Sequence, residues 1–314
     1  MVRTVLTAVV PRLIAVVGPT GAGKSALALR LARERGGEIV SCDSLQVYRG
    51  LDIGSAKATP EERRAVPHHL LDVVDPDEEF SAAEYARRGR AALLDIAGRG
   101  RLPIVAGGTG LYLRALLQGL FAGPSRDLAL RRRLEAIAER YGDPRLHRLL
   151  ARVDPEAAKR LPVGDRLRVV RALEVFRATG RPISEHHRAP GDPLGGFVSF
   201  LVGIKPARPA LRLAVEERTR DMFARGLLDE VRGLLARGYA PELGPLRAIG
   251  YRQAVAVTRG ELARAEAERD IVSDTLRLAK RQMTWFRHQA SVAWCPDLDT
   301  AYAAAVAWLD RAEG

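Results

Sequence analysis

Cysteine is scarce in this sequence, and long apolar runs are missing from it. The 314 residues include only two cysteines, Cys42 and Cys295, which lie far apart and form no CxxC pair. Neither a disulfide framework nor a zinc module is therefore indicated. No apolar stretch approaches the roughly 20 residues that cross a bilayer, because glycine, proline or charge interrupts each run. We expect a cytoplasmic protein without a membrane span.

Internal repeats and low-complexity tracts are also absent. With 314 residues, 47% of them apolar, the chain can fill one large domain, or one domain and a smaller insertion. The first eleven residues carry one arginine and a short apolar stretch but no small-residue cleavage site. They favour a lead into the first strand over a secretion signal.

Positive charge is in excess. The sequence has 50 Lys and Arg against 38 Asp and Glu, a net charge of +12, and its pI is about 10.3. Such an excess favours a polyanionic partner. An arginine-rich proteome produces the same excess without one, so the positions of the charges have to decide between the two interpretations.

Short apolar runs alternate with helical patterns in the first third of the chain. This alternation predicts an α/β fold, a doubly wound parallel sheet of the P-loop type. In such a sheet ligands bind beyond the carboxyl ends of the strands, so the loops that follow the strands should meet at one crevice. The strands are predicted over Leu13–Val17, Glu38–Cys42 and Arg101–Ala106.

Helices are predicted between and after these strands, over Ala22–Arg35 and Ser81–Gly98. Ser81 and Glu84 have the spacing of a capping box at the start of the second helix. A further strand is predicted at Phe197–Ile204. Four helices are predicted beyond it, over Ala210–Arg225, Leu227–Arg237, Ala248–Val257 and Leu262–Ala290.

The pattern changes to arginine-rich helical segments, broken by Gly and Pro, between about Phe121 and Gly196. We interpret this part as an insertion. Residues 1–121 and 197–314 are then expected to form the P-loop catalytic core, and residues 122–196 an inserted helical domain.

The segment Gly18–Ser25 reads GPTGAGKS, directly after an apolar strand and before a helix. Both the spacing and this setting are those of a phosphate-binding P-loop. Glycines let backbone N–H groups point at phosphate oxygens, and the helix N-terminus adds partial positive charge. Lys24 can neutralise phosphate, and Ser25 can hold Mg²⁺. A diphosphate or triphosphate ligand is therefore predicted on Gly18, Pro19, Thr20, Gly21, Ala22, Gly23, Lys24 and Ser25.

Two further loops face the same predicted crevice. Asp43 follows the second strand, where a carboxylate can be a metal ligand, a helix N-cap or a general base. Ser44 and Gln46 beside it can donate and accept hydrogen bonds, which suits reading the edge of a base. Thr109 lies in a Gly-rich turn after the third strand, which either approaches a ligand or is simply a tight turn.

Basic residues are concentrated in the distal half. Arg218 lies on an amphipathic helix, where it either faces solvent or stabilises a departing diphosphate. The last long helix has an apolar face and an opposite basic one, formed by Arg277, Lys280, Arg281, Arg287 and His288. This stripe is the strongest nucleic-acid signal in the sequence. A further basic cluster occupies residues 165–171. The adjacent His68 and His69 lack other ligand types at metal-binding spacing, so no metal is assigned to them.

Taken together, these motifs resemble the tRNA dimethylallyltransferase family, whose members prenylate adenosine 37 beside the anticodon. The resemblance covers nearly the whole chain. The sequence lacks the zinc-finger extension of eukaryotic relatives, which suits a bacterial form. The matching blocks are Gly18–Ser25, SCDSLQVYR at 41–49, DIGSAK at 52–57, HHLLD at 68–72, GGTGLYL at 107–113, VRALEVFRATG at 170–180, residues 226–231, IGY at 249–251 and AKRQMTWFRH at 279–288.

The resemblance implies a role for several of these residues. Asp43 would be the general base for the N6 amine of adenosine 37, Arg218 would assist the leaving diphosphate, and Thr109 would lie beside the target base. Thr20, Gly21, Gly23, Lys24 and Ser25 would contact the diphosphate of dimethylallyl diphosphate, with Mg²⁺ as the cofactor.

The resemblance also implies which residues contact tRNA. The basic last helix adds three more, and the insertion would then be a tRNA-binding domain. No feature demands more than a monomer. The expected tRNA contacts are Asp43, Ser44, Leu45, Gln46, Thr109, Gly164, Asp165, Arg166, Leu167, Arg168, Arg247, Gly250, Tyr251, Arg252, Gln253, Arg277, Lys280 and Arg281.

Two other functions share parts of this pattern. A P-loop kinase acting on a small molecule would share the first third of the chain, with Asp43 positioning an acceptor hydroxyl. A small metabolite, however, does not require the basic insertion and the basic last helix. An NTP-dependent RNA-binding protein without transferase activity would hydrolyse NTP and leave the RNA unmodified.

Overall fold

The computed structural model describes residues 10–121, 123–124, 126–188 and 191–311. Residues 1–9, most of the expected lead into the first strand, lie outside the described residues. The chain divides into two compact units. One comprises the described residues up to Leu117 and from Leu194 onward, and the other is Gln118–Pro193. No helix in the described ranges is long and apolar enough to cross a membrane.

A six-stranded sheet forms the centre of the first unit. Its strand order is β3-β2-β4-β1-β5-β6, and every pair in it is parallel. The predicted parallel α/β sheet is confirmed, whereas the two edge strands were not predicted because each is only two or three residues long. The strands are β1 (Arg12–Val17), β2 (Gly37–Cys42), β3 (His68–His69), β4 (Leu102–Gly107), β5 (Val198–Ile204) and β6 (Ala293–Cys295).

The first half of the chain contributes four helices to this unit: α1 (Lys24–Arg35), α2 (Pro60–Ala65), α3 (Ala82–Gly98) and α4 (Gly110–Gln118). The capping box predicted for α3 is only half formed. Ser81 Oγ accepts a hydrogen bond from Glu84 N–H at 3.1 Å, but the Glu84 carboxylate pairs with Arg87 and Arg88. Two nearby cations therefore compete successfully with the backbone N–H of Ser81.

The second unit is helical and comprises α5 (Leu128–Tyr141), α6 (Asp143–Val153), α7 (Pro155–Arg160), α8 (Arg166–Thr179) and α9 (Ile183–Arg188). It has its own apolar core, in which Leu134, Leu150 and Val175 are buried. A carboxylate lies inside this unit as well. Glu174 is fully buried and bonds to Arg131 and Arg171.

The last third of the chain returns to the first unit with five helices and a 3₁₀ turn at Gly244–Arg247. The helices are α10 (Arg208–Ala224), α11 (Leu227–Ala236), α12 (Tyr251–Thr258), α13 (Arg264–Gln289) and α14 (Leu298–Asp310).

Side chains alternate across β1 and pack against helices on both faces of the sheet. Ile14 and Val16 join the apolar cluster under α1 and α14. Leu13 joins the cluster under α3 and α4, to which Phe286 of α13 also belongs. The carboxyl ends of β2, β4 and β1, three neighbouring strands, are thereby fixed side by side.

Candidate active site

The P-loop connects β1 to α1 in a conformation that requires glycine. Gly18 has a φ of +141°, and a Cβ there would lie 2.7 Å from the carbonyl oxygen of Ile204. Gly23, the N-cap of α1, has a φ of +87°. These two positions let the chain leave the sheet tightly and enter the helix in backbone conformations that side-chain-bearing residues rarely adopt.

The N-terminus of α1 is open to an anion. Gly23 offers no side-chain cap, and the first turn contains no acidic residue. The first N–H groups of the helix therefore lack an internal acceptor, and the helix dipole is not neutralised. This arrangement binds phosphate groups well. Ser25, in the same turn, is exposed, and no described group forms a hydrogen bond with its hydroxyl.

Asp43 begins the loop after β2. Its Oδ1 accepts a hydrogen bond from Leu45 N–H at 2.8 Å, which closes a turn and fixes the carboxyl group. No described donor hydrogen-bonds to the other oxygen, and the residue is partly exposed. One oxygen of Asp43 is thus held by the loop, and the other is left without a described donor.

Thr109 joins the third loop to the Asp43 loop. Its Oγ1 accepts a hydrogen bond from Ser44 N–H at 3.1 Å, and its N–H donates to Cys42 O at 3.2 Å. The two loops come this close because β2 and β4 are neighbours and Gly107 lacks a side chain, since a Cβ there would lie 2.1 Å from Cys42 O.

Arg218 reaches the P-loop from α10. Its Nη1 donates a hydrogen bond to Thr20 Oγ1 at 3.3 Å. Burial lowers the pKa of Arg218, and the Asp43 carboxylate acts in the opposite direction. The alternative in which Arg218 merely faces solvent is therefore wrong.

Lys24 completes a group of three charges. Its Nζ donates to Pro19 O at 2.7 Å, and burial, followed by the neighbouring Arg218, lowers its pKa to about 8, against the effect of Asp43. Two half-buried cations thus stand near a single carboxylate. Such an excess of buried positive charge is favourable only when an anion offsets it.

Two residues of α13 at this site were not predicted. Gln282 of α13 contacts both the P-loop and the third loop, because its Oε1 accepts from Thr20 N–H at 2.9 Å and its Nε2 donates to Gly108 O at 3.0 Å. One turn further along the helix, the Trp285 ring lies so close to Gly110 that a Cβ on Gly110 would be 2.3 Å from it. Both residues fall in the block AKRQMTWFRH, and only their inward positions on the helix could have singled them out.

The residues after Asp43 are positioned differently from one another. Ser44 is exposed and Leu45 partly exposed. Gln46 is engaged internally, since its Oε1 accepts from Ser41 Oγ at 2.8 Å and its Nε2 donates to the carbonyls of Ser55 and Ala56 at 3.2 Å. In this conformation both polar atoms of its amide are engaged within the protein and support the loop.

The segment 247–253 is split between surface and core. Arg247 and Arg252 are exposed. Tyr251 is 0% exposed and Gln253 5% exposed, and Gly250 is buried as well. The Tyr251 hydroxyl donates to Glu230 Oε1 at 2.7 Å. Of the five residues expected to contact tRNA here, only the two arginines present their side chains to the surface.

The basic stripe on α13 is on the surface. Arg277, Lys280 and Arg281 are exposed. Asp274 holds two of the arginines in the region, since it pairs with Arg277 at 3.0 Å and with Arg252 of α12. Lys280 and Arg281 have no ion-pair partner within the described ranges. The predicted nucleic-acid surface is therefore exposed and mostly cationic.

In the helical unit, residues 164–168 span the start of α8, whose N-cap is Asp165. Leu167 is 76% exposed, Arg166 pairs with Asp143 at 2.8 Å, and Arg168 pairs with Asp165 at 3.3 Å. Gly164, Asp165, Arg166 and Leu167 line an open cleft of about 580 Å³. Two arginines beside an exposed apolar side chain suit phosphate contact and apolar contact with a nucleic acid.

His68 and His69 form β3 and have partners within the protein. His68 Nδ1 lies 2.8 Å from Val66 O, and His69 Nε2 lies 2.8 Å from Glu38 Oε2. No cluster of three His, Cys, Asp or Glu residues suited to a metal occurs in the part of the chain that the structure describes.

Comparison with known proteins supports one family throughout. The family model described as IPP transferase matches residues 46–289. The tRNA dimethylallyltransferase of Geobacter metallireducens is 51% identical over 286 residues, which are 90% of this chain and 92% of that protein.

Two solved structures have the same fold. The tRNA isopentenylpyrophosphate transferase of Bacillus halodurans aligns with a TM-score of 0.68 and 37% identity, over 95% of each chain. A eukaryotic dimethylallyltransferase acting on tRNA aligns with a TM-score of 0.75 and 28% identity, over 95% of this chain and 78% of that one. With its P-loop, its Asp43 and Thr109 loops and this extent of similarity, the chain belongs to the IPP transferase family, the family of the tRNA dimethylallyltransferases.

Proposed function

We propose that the protein transfers the dimethylallyl group of dimethylallyl diphosphate to N6 of adenosine 37 in the anticodon loop of tRNA, releasing diphosphate. The observation that carries the proposal is the grouping of Lys24, Arg218 and Asp43 beside the P-loop. It combines cations suited to a departing diphosphate with a carboxylate suited to a proton.

The P-loop and the two cations bind the donor. Backbone N–H groups at the start of α1, Lys24 and Arg218 face the diphosphate. The Thr20 hydroxyl accepts a hydrogen bond from Arg218 and can still donate one to the diphosphate. Cationic groups fixed in advance stabilise a leaving diphosphate without the cost of reorganising water. The bond between the allylic carbon and the bridging oxygen breaks, and its electron pair leaves with the diphosphate.

Asp43 accepts the proton of the nucleophile. An adenine amine is a poor nucleophile because its lone pair is delocalised into the ring, so removal of a proton as the C–N bond forms is useful. The free oxygen of Asp43 takes this proton while Leu45 N–H holds the other. Thr109, hydrogen-bonded to the same loop, lies beside the base.

Mg²⁺ fits this site through Ser25. A P-loop cation needs one hydroxyl from the protein, with the remaining oxygens supplied by phosphate and water. The exposed Ser25 hydroxyl, without a described hydrogen-bond partner, meets that need. When bound, Mg²⁺ would add positive charge against the leaving diphosphate.

The nucleic-acid substrate binds basic surfaces. Extrusion of adenosine 37 from the anticodon loop costs about a few kcal/mol, which phosphate contacts can offset. We assign these contacts to Arg277, Lys280 and Arg281 on α13, and further contacts to Arg252 and to residues 164–168 in the helical unit. The cytoplasm suits this activity and the two free, buried cysteines, and we propose a monomer.

Transfer of label tests this function and its rivals. The purified protein is incubated with unmodified tRNA, Mg²⁺ and radiolabelled dimethylallyl diphosphate. We expect label in the tRNA and equimolar release of diphosphate. Unlabelled tRNA together with phosphate released from ATP would contradict the proposal. If ATP then labels a small acceptor, the result favours a kinase. If ATP labels no acceptor, the result favours an NTP-dependent RNA-binding protein.

A further inference from the structure

The side chain of Gln282 forms a bridge between two loops of the site. It accepts a hydrogen bond from Thr20 N–H at 2.9 Å and donates one to Gly108 O at 3.0 Å. Thr20 lies 262 residues away in the sequence and Gly108 174 residues away. Among the described residues, this is the amide side chain that contacts both the P-loop and the third loop.

A primary amide suits this position better than other side chains. It presents one acceptor and one donor side by side, and its two backbone partners offer one donor and one acceptor. A carboxylate could accept from Thr20 but could not donate to Gly108, and an apolar side chain could do neither. Leaving either of these partly buried backbone groups without a partner costs free energy.

The third loop is shaped to receive this side chain. A Cβ on Gly108 would lie 2.4 Å from Gln282 Nε2, while its next neighbour, the carbonyl oxygen of Gly18, would be 3.5 Å away. Trp285, one turn along α13, lies against Gly110 of the same loop. Two residues of one helix thus contact the loop that contains Thr109.

The Thr20 hydrogen bond also affects the catalytic groups. Because Gln282 takes the N–H of Thr20, the residue can meet a diphosphate only through its hydroxyl, which accepts from Arg218. Thr20 therefore links the Gln282 bridge to the Arg218 guanidinium. A small displacement of Thr20 would disturb this contact and strongly reduce stabilisation of the leaving group.

We infer that Gln282 is a positioning residue for the diphosphate site, which holds Thr20 and Gly108 in register so that the P-loop, Arg218 and Thr109 face one ligand. Its effect on turnover rests on the proposed function. Its effect on diphosphate binding does not. In this role Gln282 acts through the two backbone groups that it bonds.

A double-mutant cycle tests this role. Gln282→Met removes both hydrogen bonds at similar size, and Gly108→Ala displaces the amide with a methyl group at a position whose φ is not positive. Gln289→Met, at the exposed end of the same helix, is the matched control. Binding of inorganic diphosphate with Mg²⁺ is measured by calorimetry, tRNA binding by filter retention, and thermal unfolding by circular dichroism.

We expect each site variant to bind diphosphate about tenfold more weakly, with tRNA affinity within about twofold of the parent protein. The double variant should be no weaker than the weaker single one, because both changes break one bridge. Gln289→Met should match the parent.

Unchanged diphosphate affinity in Gln282→Met would overturn the inference. Additive losses in the cycle would also overturn it, because the two changes would then act independently. Equal losses of diphosphate and tRNA binding in a destabilised protein would overturn it as well, because they indicate a general structural role. If the parent binds diphosphate but does not prenylate tRNA, the proposed function fails while the positioning role is still measured.

Discussion

The Arg218 guanidinium donates a hydrogen bond to the Thr20 hydroxyl at 3.3 Å, although 198 residues separate the two in the sequence. This contact brings a cation from the second half of the chain to a loop formed in the first. A P-loop alone suits any nucleotide triphosphate, whereas a P-loop with a second half-buried cation and a nearby carboxylate suits loss of diphosphate from an activated carbon.

Replacement of Arg218 should therefore reduce turnover. Arg218→Gln is expected to lower kcat by about 10²–10³-fold, because it removes a cation that stabilises the leaving group in the transition state. Affinity for tRNA should stay unchanged. Single-turnover transfer of labelled dimethylallyl to tRNA measures the effect, with Arg212→Gln, an exposed residue of α10, as the control. Full activity of Arg218→Gln would exclude this role.

Binding of diphosphate should weaken in alkaline solution because of Lys24. Burial and Arg218 lower the pKa of its ammonium to about 8, so the proton that favours an anion is lost above that pH. Affinity for inorganic diphosphate should fall by up to about tenfold per pH unit between pH 8 and 9. The control is Lys24→Arg, which stays charged over this range. Parallel pH profiles for parent and Lys24→Arg would contradict the interpretation.

Removal of single cations from α13 should weaken tRNA binding in a salt-dependent way. Arg281→Ala is expected to lower affinity and to reduce the slope of log K against log salt concentration by about one. Arg33→Ala, exposed near the end of α1 that is farther from the P-loop, serves as the comparison and should leave the slope unchanged. A slope equal to that of the parent for Arg281→Ala would remove this residue from the tRNA surface.

The buried carboxylate of the helical unit should contribute to its stability above about pH 4.5. Burial opposes ionisation of Glu174, but Arg131 and Arg171 outweigh it and lower its pKa from 4.5 to about 2. Because the folded pKa lies below the unfolded one, the contribution is complete above pH 4.5 and is lost as pH falls towards 2.

Glu174→Gln should accordingly destabilise the helical unit by about 2 kcal/mol at pH 7, and by less below pH 4. Hydrogen exchange of the α5 and α8 amides reports this unit specifically. Glu185→Gln, an exposed residue paired with Arg181, should change exchange little. An effect of Glu174→Gln that is constant from pH 7 to pH 3 would disagree with this account.

Much of the fold followed from local patterns in the sequence. The buried strands of the sheet were predictable because runs such as Leu13–Val17 are apolar throughout and are bounded by glycine or charge. The edge strands β3 and β6 were not, since two or three residues carry no periodic signal. The prediction of a full capping box at α3 was wrong in part for another reason, because the arginines that compete for Glu84 lie on the helix itself.

The site was less predictable than the fold. The P-loop has a local signature, and the order of the strands brought Asp43 and Thr109 near it. Gln282 has no such signature, because helical periodicity indicates only that it points inward and not which loop it meets. The burial of Tyr251 could likewise not be inferred from IGYRQ, because its partner Glu230 lies on a different helix.

The most direct measurement is single-turnover transfer by the parent protein and by Asp43→Asn, with the product located in the tRNA by mass spectrometry. The parent should place one dimethylallyl group on N6 of adenosine 37. Asp43→Asn should be slower by about 10²–10⁴-fold, with diphosphate and tRNA affinities retained. Equal rates for the two proteins, or a product at another nucleotide, would contradict the account.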